Sequence, residues 1–389
     1  APTTPAPSVS HFPTPAQTGA PTGTISELAK LTAIDGEFAV ASDGELVVIG
    51  APQCKVEGKN KAGCAYVYEN LGAGNWSEAA TLSASDAAAN ALFGMAVGVS
   101  GDVIVVGAEG AAYVFEFTSD EWTEMGQLPP PKQPFLFGSV LAIDGSQLAV
   151  AGFGAVFVYA MQNDGTFLET GTLTGSTADE FAISLALSNS TIVVGAMRAD
   201  VDGVKDAGAA YVYETEDGGY EWTETATLVA SDPTQSANFG FSVAVSNDVV
   251  VVGADDADRD LDPNFSNSGA AYVYVKNPTS GVWGEATKLV GSEAKGGDNQ
   301  GVAVAADGNL VVVGAEKHGP PGKEGAGAAY IWRMSDDGET FTEIAKLTAS
   351  DQVKNGYFGK PIALADGWCV IGALGSGSAY IISLYAADD

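Results

Sequence analysis

Histidine is nearly missing from this chain of 389 residues, which has only His11 and His318. Two isolated histidines provide no basis for a Ser-His-Asp or Cys-His nucleophilic set, or for a histidine-rich metal site. Carboxylate pairs are abundant, but none of them stands apart from a repeated sequence unit, and the glycines of that unit do not form a nucleotide-binding loop. The sequence therefore predicts a protein that is not an enzyme.

Positive charge is also scarce, since 17 Lys and Arg stand against 49 Asp and Glu, for a net charge of −32. A surface of this sign repels nucleic acid and anionic lipid, so we expect no nucleic-acid partner. No apolar run is long enough to cross a bilayer, so we also expect no membrane insertion. The excess carboxylates could attract divalent cations, although a solvated acidic surface is the simpler interpretation.

Long segments of helical periodicity are missing as well, whereas glycine is frequent, with 49 residues. Only 17% of the residues are charged, and many short turns with few charged helical faces are typical of an all-β chain. This length would fill two or three ordinary domains. A propeller can hold it in one domain, because each blade packs only on its neighbours and the ring closes.

One sequence unit recurs seven times along the chain. The glycine of a Val-Val-Gly-Ala motif occurs at Gly50, Gly107, Gly152, Gly195, Gly253, Gly314 and Gly372. A strand aromatic follows at Tyr66, Tyr113, Phe157, Tyr211, Tyr272, Tyr330 and Tyr380. Each unit predicts four short strands, of which the first two are apolar and the fourth is polar and alternating.

The outer strand of the last unit is missing after Tyr380, and a matching strand stands at the other end of the sequence. Residues 25–31 align with the outer strand of residues 222–228. We therefore predict that the last blade is completed by the first strand, which closes the ring and leaves no open sheet edge. This gives an all-β, seven-bladed β-propeller of four-stranded blades over residues 25–389, preceded by an arm of residues 1–24.

In chain order, the consensus unit contains an outer-strand aromatic, a Leu and the motifs Ala-Ser-Asp, Phe-Gly, Gly-Ala and Ala-Tyr-Val-Tyr. Its Phe-Gly pair is intact at Phe93-Gly94, Phe137-Gly138, Phe239-Gly240 and Phe358-Gly359. This pattern resembles the FG-GAP repeat family, whose best-known members are the propellers of integrin α-chains, and is most similar to its secreted bacterial and protist branch. The resemblance covers about residues 25–385 and implies a propeller. The aspartate of Ala-Ser-Asp, at Asp86, Asp232 and Asp351, is interpreted as a turn-forming residue.

Integrin repeats often carry a calcium loop between strands one and two, but the turns here are too tight to wrap the ion, so those sites are not carried over. A different loop, residues 255–268, alternates aspartates in a way that suits calcium. The candidate ligands are Asp256, Asp258, Asp260 and Asp262. The loop lacks a glycine at the bend and a closing glutamate, so a solvated acidic loop is the favoured interpretation and no cofactor is required.

Several features indicate a secreted protein. Cys54 and Cys64 bracket one loop, which predicts a disulfide in an oxidising compartment, whereas Cys369 lies in an apolar run and is expected to be buried. N-glycosylation sequons begin at Asn75, Asn189 and Asn264. The chain begins at Ala1 rather than Met, which fits a mature extracellular protein.

The arm of residues 1–24 is rich in Pro, Thr and Ser and cannot form a core by itself. Mucin-like composition predicts O-linked sugars at Thr3, Thr4, Thr14, Thr18 and Thr22. Val9 and Phe12 are the expected anchors of the arm on its own propeller or on a neighbour. A neighbour's propeller would produce a head-to-tail homopolymer.

Two functions remain open on the sequence. The first is an extracellular, non-catalytic structural protein, a filament or surface-coat subunit that assembles through its arm. The second resembles the integrin head and recognises a protein or glycan through the face that carries the longest loops, residues 52–63, 197–207, 255–268 and 316–326.

Overall fold

The computed structural model describes residues 25–384 except 33–35, 37, 73, 129–135, 153, 177, 258–266 and 337. Seven separate four-stranded antiparallel sheets account for all the strands described there. This confirms the predicted all-β, seven-bladed propeller. The predicted arm sites Val9, Phe12, Thr3, Thr4, Thr14, Thr18 and Thr22, together with Asp258, Asp260, Asp262 and Asn264, lie outside the described residues.

The first four blades follow one another along the chain. Blade 1 is β2 (Ala39–Ser42), β3 (Leu46–Ala51), β4 (Cys64–Asn70) and β5 (Trp76–Leu82). Blade 2 is β6 (Ala96–Ser100), β7 (Val103–Ala108), β8 (Ala111–Thr118) and β9 (Glu121–Gln127). Blade 3 is β10 (Leu141–Asp144), β11 (Gln147–Gly152), β12 (Ala155–Met161) and β13 (Phe167–Thr174). Blade 4 is β14 (Phe181–Ser188), β15 (Thr191–Ala196), β16 (Ala209–Glu214) and β17 (Thr223–Leu228).

The remaining blades include the one that joins the two ends of the ring. Blade 5 is β18 (Phe239–Ser246), β19 (Val249–Ala254), β20 (Ala270–Lys276) and β21 (Trp283–Leu289). Blade 6 is β22 (Gln300–Asp307), β23 (Leu310–Ala315), β24 (Ala328–Met334) and β25 (Phe341–Leu347). Blade 7 is β26 (Phe358–Ala365), β27 (Trp368–Ala373), β28 (Ser378–Ser383) and β1 (Ser26–Thr32).

Blade 7 closes as predicted, with the first strand as its outer strand. β1 pairs antiparallel with β28, from Ser26 opposite Ser383 to Thr32 opposite Ser378, with a bulge between Glu27 and Ala29. The ladder gives β28 a hydrogen-bonded partner on each side, so blade 7 has the same four-strand order as the other blades.

The second strand of each blade is buried on both faces, which explains its run of β-branched residues. All six residues of β7 and of β19 are buried. The glycine near the end of such a strand faces the backbone of the next blade. A Cβ on Gly107 would lie 1.9 Å from the carbonyl oxygen of Gly138, so only glycine allows this approach.

The antiparallel order divides the loops between the two faces of the disc. Loops from strand two to three and connectors from strand four to the next blade share one face, which we call the long-loop face. Hairpins from strand one to two and from three to four share the other, which we call the hairpin face. Side chains of loops on the same face can contribute to one binding surface, whereas those on opposite faces cannot.

Candidate functional site

The longest loop of blade 1 is fixed by a disulfide on the long-loop face. Cys54 and Cys64 are bonded, as predicted, with Cα atoms 5.7 Å apart. Within the loop, Val56 and Lys59 exchange two backbone hydrogen bonds, of 3.3 and 2.8 Å. Cys369 is buried as expected, and burial raises the pKa of its thiol.

The acidic loop of blade 5 begins with two carboxylates that are held by asparagine amides. Asn238 Nδ2 donates to Asp255 Oδ1 and to Asp256 Oδ2, both at 3.1 Å. Asn267 Nδ2 donates to Asp256 Oδ1, also at 3.1 Å. Asp255 is only 6% exposed, and burial raises the pKa of its carboxyl despite the hydrogen bond from Asn238. These contacts give Asp255 and Asp256 a role in shaping the loop.

A calcium site at this loop stays a prediction. Of its four candidate ligands only Asp256 is described, and both of its oxygens accept amide hydrogen bonds. Among the residues that the structure describes, no group of three or more His, Cys, Asp or Glu is arranged to hold a metal ion.

The recurrent Ala-Ser-Asp motif forms a clasp between neighbouring blades. Ser85 donates from both its backbone N–H and its Oγ to the carboxylate of Glu124 in β9, at 2.8 Å each. The next residue, Asp86, accepts a hydrogen bond of 2.8 Å from the hydroxyl of Tyr113 in β8. Gln127 Nε2 donates to the other oxygen of Asp86 at 2.9 Å. The connector after blade 1 is thereby bonded to two strands of blade 2.

The same clasp recurs further around the ring. Ser231 and Asp232 bond Glu285 and Tyr272, and Lys288 Nζ lies 2.7 Å from Asp232. Asp86 and Asp351 lie in turns, as predicted, and the carboxylates of Asp86 and Asp232 also bond side chains of the next blade. The sequence did carry a signal, because a glutamate stands two residues after the outer-strand aromatic that follows two of the three Ala-Ser-Asp motifs, at Glu124 after Trp122 and Glu285 after Trp283.

Blade 6 departs from this pattern in its interior. Gln300 stands where other units have the phenylalanine of Phe-Gly, and Glu293 replaces the clasp aspartate and pairs with Lys346 at 2.6 Å. The hydroxyl of Tyr330 and Nε2 of Gln300 are consequently buried without a partner among the described residues. Nearby, His318 Nδ1 lies 2.9 Å from Asp298 Oδ2 in a buried contact. That contact ties the loop of blade 6 to the connector before it.

On the hairpin face, side chains link the turns of neighbouring blades around the axis. Asp43 accepts a hydrogen bond of 3.0 Å from Gly101 N, and Ser100 Oγ accepts one of 2.9 Å from Gly145 N. The axial mouth is a cavity of about 470 Å³ lined by carboxylates that include Asp43 and Asp307. Burial raises the pKa of both carboxyls, and the nearby charge of Asp366 raises that of Asp307 further.

Two of the three predicted glycosylation sequons fall on this hairpin face. Asn75 is exposed just before β5. Asn189 is exposed in the hairpin between β14 and β15, where its φ of 51° suits asparagine, and its amide donates to Asn247 Oδ1 at 3.2 Å. Their accessibility is compatible with attached glycans, which stay a prediction.

Seven four-stranded antiparallel blades closed by the first strand define a seven-bladed β-propeller. The sequence model of the FG-GAP repeat matches residues 76–115, 174–213, 222–274, 283–332 and 341–382, together more than half of the chain. The chain belongs to the FG-GAP repeat family. Each match begins in or just before an outer strand and ends in the third strand of the next blade, so the sequence unit spans the clasp. No curated protein matches the chain.

A membrane-spanning helix must be both long and apolar. Among the described residues, no helix has both the length and the apolar character that crossing a bilayer requires.

Proposed function

We propose that this protein is an extracellular, non-catalytic structural protein that assembles with itself into a filament or surface coat. Assembly proceeds through the arm of residues 1–24, which docks on a neighbouring propeller. The observation that carries the proposal is the ladder between β1 and β28, because it begins at Ser26 and completes the ring without a residue that precedes it. Ser26 lies opposite Ser383, so the arm joins blade 7 on the hairpin face.

The composition and reach of the arm suit a connector. A proline-rich segment extends by about 3.1 Å per residue, so residues 1–24 can span roughly 70 Å. That span exceeds the separation of stacked discs whose strands are four to eight residues long. Val9 and Phe12 supply the apolar side chains for docking. A contact between unlike surfaces that does not close into a ring propagates as a filament.

An extracellular location is supported by three features. Cys54 and Cys64 form a disulfide, which persists in oxidising compartments. The sequon residues Asn75 and Asn189 are exposed, so covalent glycans have room at both positions. FG-GAP repeats are also typical of extracellular propellers.

A non-catalytic role is supported by the contacts of His318 and of the clasp carboxylates. His318 is buried against Asp298, and the clasp carboxylates such as Glu124 and Asp86 are engaged in hydrogen bonds between blades. Groups held in this way stabilise the ring and do not converge on a cleft.

Electron microscopy of the intact chain and of the chain lacking residues 1–24 tests this function. We expect filaments or sheets from the intact chain and single discs from the truncated one. A V9D/F12D variant should also give single discs, whereas the matched control S8D/S10D adds the same charge at adjacent polar positions and should assemble. Single discs from the intact chain at high concentration would refute the proposal.

A second candidate function is adhesion, with a protein or glycan ligand on the long-loop face. It is favoured by the rigid disulfide loop of blade 1 and the amide-braced acidic loop of blade 5, which stand on this face. Alanine at Asp256, Asp258 and Asp260 should then abolish divalent-dependent ligand binding. Unchanged binding in the presence of chelator would count against this function.

A further inference from the structure

The described basic residues of this acidic protein are concentrated in one half of the disc. Apart from Lys276 and Arg333, every Lys and Arg that the structure describes lies in a loop or connector of the long-loop face or in the strand half next to it. Lys276 ends β20 and Arg333 is the penultimate residue of β24, which places both on the hairpin half. The hairpin face therefore carries most of the unbalanced negative charge.

Within the long-loop face, the lysines concentrate on the consecutive blades 6, 7 and 1. The disulfide loop of blade 1 has Lys55, Lys59 and Lys61 against one acid, Glu57. Around blade 7, basic side chains outnumber acidic ones again. The lysines are Lys317, Lys323, Lys354 and Lys360, and the acids are Glu316, Glu324 and Asp351. We call the loops 52–63 and 316–326 and the blade 7 surface between them the lysine sector.

Four lysines of this sector are available to a partner. Lys55, Lys61, Lys317 and Lys323 are exposed, and none forms an ion pair with another described residue. The loop of blade 7 is short, residues 374–377, so the two lysine-bearing loops flank a groove of about 560 Å³. Lys317 and Lys360 line that groove. Glu316 is the acid among the described lining residues, so two lysines stand against one carboxylate there, in a protein of net charge −32.

The hairpin face offers the complementary surface. Its outer hairpins carry exposed carboxylates, among them Asp120, Glu121, Asp164, Glu216 and Glu221. Two hairpin faces would repel each other, whereas a hairpin face set on a lysine sector brings opposite charges together. At physiological ionic strength the Debye length is about 8 Å, so salt screens the repulsion between distant charges of the two molecules. The attraction between opposite charges in direct contact is screened less and outweighs that repulsion.

We propose that the lysine sector is the docking surface for the hairpin face of a second copy of this chain. The contact joins unlike surfaces and lies off the propeller axis, so its repetition builds a helical stack. The arm leaves blade 7 on the hairpin face, which is the face that meets the neighbour in such a stack. This inference rests on the proposed self-assembly and adds the faces and charges that direct it.

Sedimentation analysis of the intact chain at fixed physiological salt tests the proposal. Each of the variants K55Q/K61Q and K317Q/K323Q should weaken self-association by roughly three- to tenfold, since exposed ion pairs contribute modestly. The control R198Q/K205Q removes the same charge from the loop of blade 4 on the same face, and its association should match that of the unaltered chain. Equal losses in all three variants would overturn the assignment.

The remaining outcomes separate this inference from the role of the arm. If deletion of residues 1–24 abolishes association and the lysine variants associate normally, the sector is not the docking surface, although arm-driven assembly stands. If the lysine variants lose association and the arm deletion does not, the sector stands and arm docking fails. An intact chain that stays monomeric refutes both. Retention of that monomer on immobilised heparin would assign the sector to an anionic polymer instead.

Discussion

Ser350 Oγ donates a hydrogen bond of 3.0 Å to Glu27 Oε1, a residue 323 positions earlier in the sequence. The neighbouring Asp351 accepts from Tyr380 Oη at 2.5 Å and pairs with Lys30. The clasp that joins consecutive blades elsewhere is thus rebuilt at the junction where two distant segments share blade 7. Ring closure therefore depends on side-chain bonds as well as on the backbone ladder between β1 and β28.

Glu27→Gln should weaken this closure. The change removes the carboxylate charge that Ser350 bonds, and because Glu27 is exposed we expect the loss to be that of an ordinary hydrogen bond, about 0.5–1.5 kcal/mol of unfolding free energy. Urea unfolding followed by tryptophan fluorescence measures the loss. Glu121→Gln is the control, because Glu121 is an exposed glutamate at the start of the outer strand β9. This substitution should leave the urea midpoint unchanged. Equal midpoints for the two variants would show that the clasp does not stabilise closure.

Two equivalent tyrosines should respond in opposite ways to loss of the hydroxyl. Tyr380 donates to Asp351, so Tyr380→Phe should cost about 1 kcal/mol of unfolding free energy. Tyr330 occupies the same position in blade 6, and its buried hydroxyl has no partner among the described residues. Tyr330→Phe should therefore be neutral or stabilising. Thermal unfolding of both variants in one buffer is the measurement, and a larger loss for Tyr330→Phe would contradict the reasoning.

The sequence predicted the repeat architecture because each feature of the unit is local. The valine runs, the tight turns and the Phe-Gly pair report the burial and backbone geometry of their own strands. Closure of blade 7 was also predictable, because residues 25–31 carry the outer-strand pattern without a preceding blade. Seven complete sheets follow directly from these regularities.

Features that join different blades were harder to predict. Asp86 is interpreted from the sequence as a turn former, and its bond to Tyr113 of the next blade, 27 residues further along the same unit, forms only in the folded ring. The concentration of lysines around blade 7 could not be predicted for a related reason. Residues such as Lys55 and Lys323 are far apart in sequence, and the closed ring places their loops on either side of blade 7.

Close approach between blades should make Gly107 intolerant of any side chain. A Cβ at this position would lie 1.9 Å from the carbonyl oxygen of Gly138, and backbone on both sides cannot withdraw without separating the blades. Gly107→Ala should therefore cost at least about 2–3 kcal/mol. Gly284 in β21 has no atom within 4 Å of an added Cβ, so Gly284→Ala should have little effect on unfolding by urea. Similar stabilities for the two variants would mean that the blades have room to separate.

The buried carboxyl of Asp255 should make stability depend on pH in a predictable direction. Burial raises the pKa of Asp255 in the folded protein above the ordinary value of 3.8, so the folded state holds this proton more tightly than the unfolded state. Its contribution is favourable below pH 3.8 and is lost as the pH rises through the raised folded pKa. At pH 7 the buried charge is a net cost.

Asp255→Asn removes that charge and keeps an oxygen that can accept from Asn238 Nδ2. With chelator present, the variant should be more stable than the unaltered protein at pH 7, and the difference should shrink as the pH falls through the folded pKa of Asp255. Asp256→Asn is the matched control, because Asp256 is less buried and accepts amides from two asparagines. Urea unfolding at closely spaced pH values from 3 to 7 is the measurement. A stability difference that stays constant across this range would show that Asp255 has the same pKa in the folded and unfolded states. The hydrogen bond from Asn238 would then offset the effect of burial.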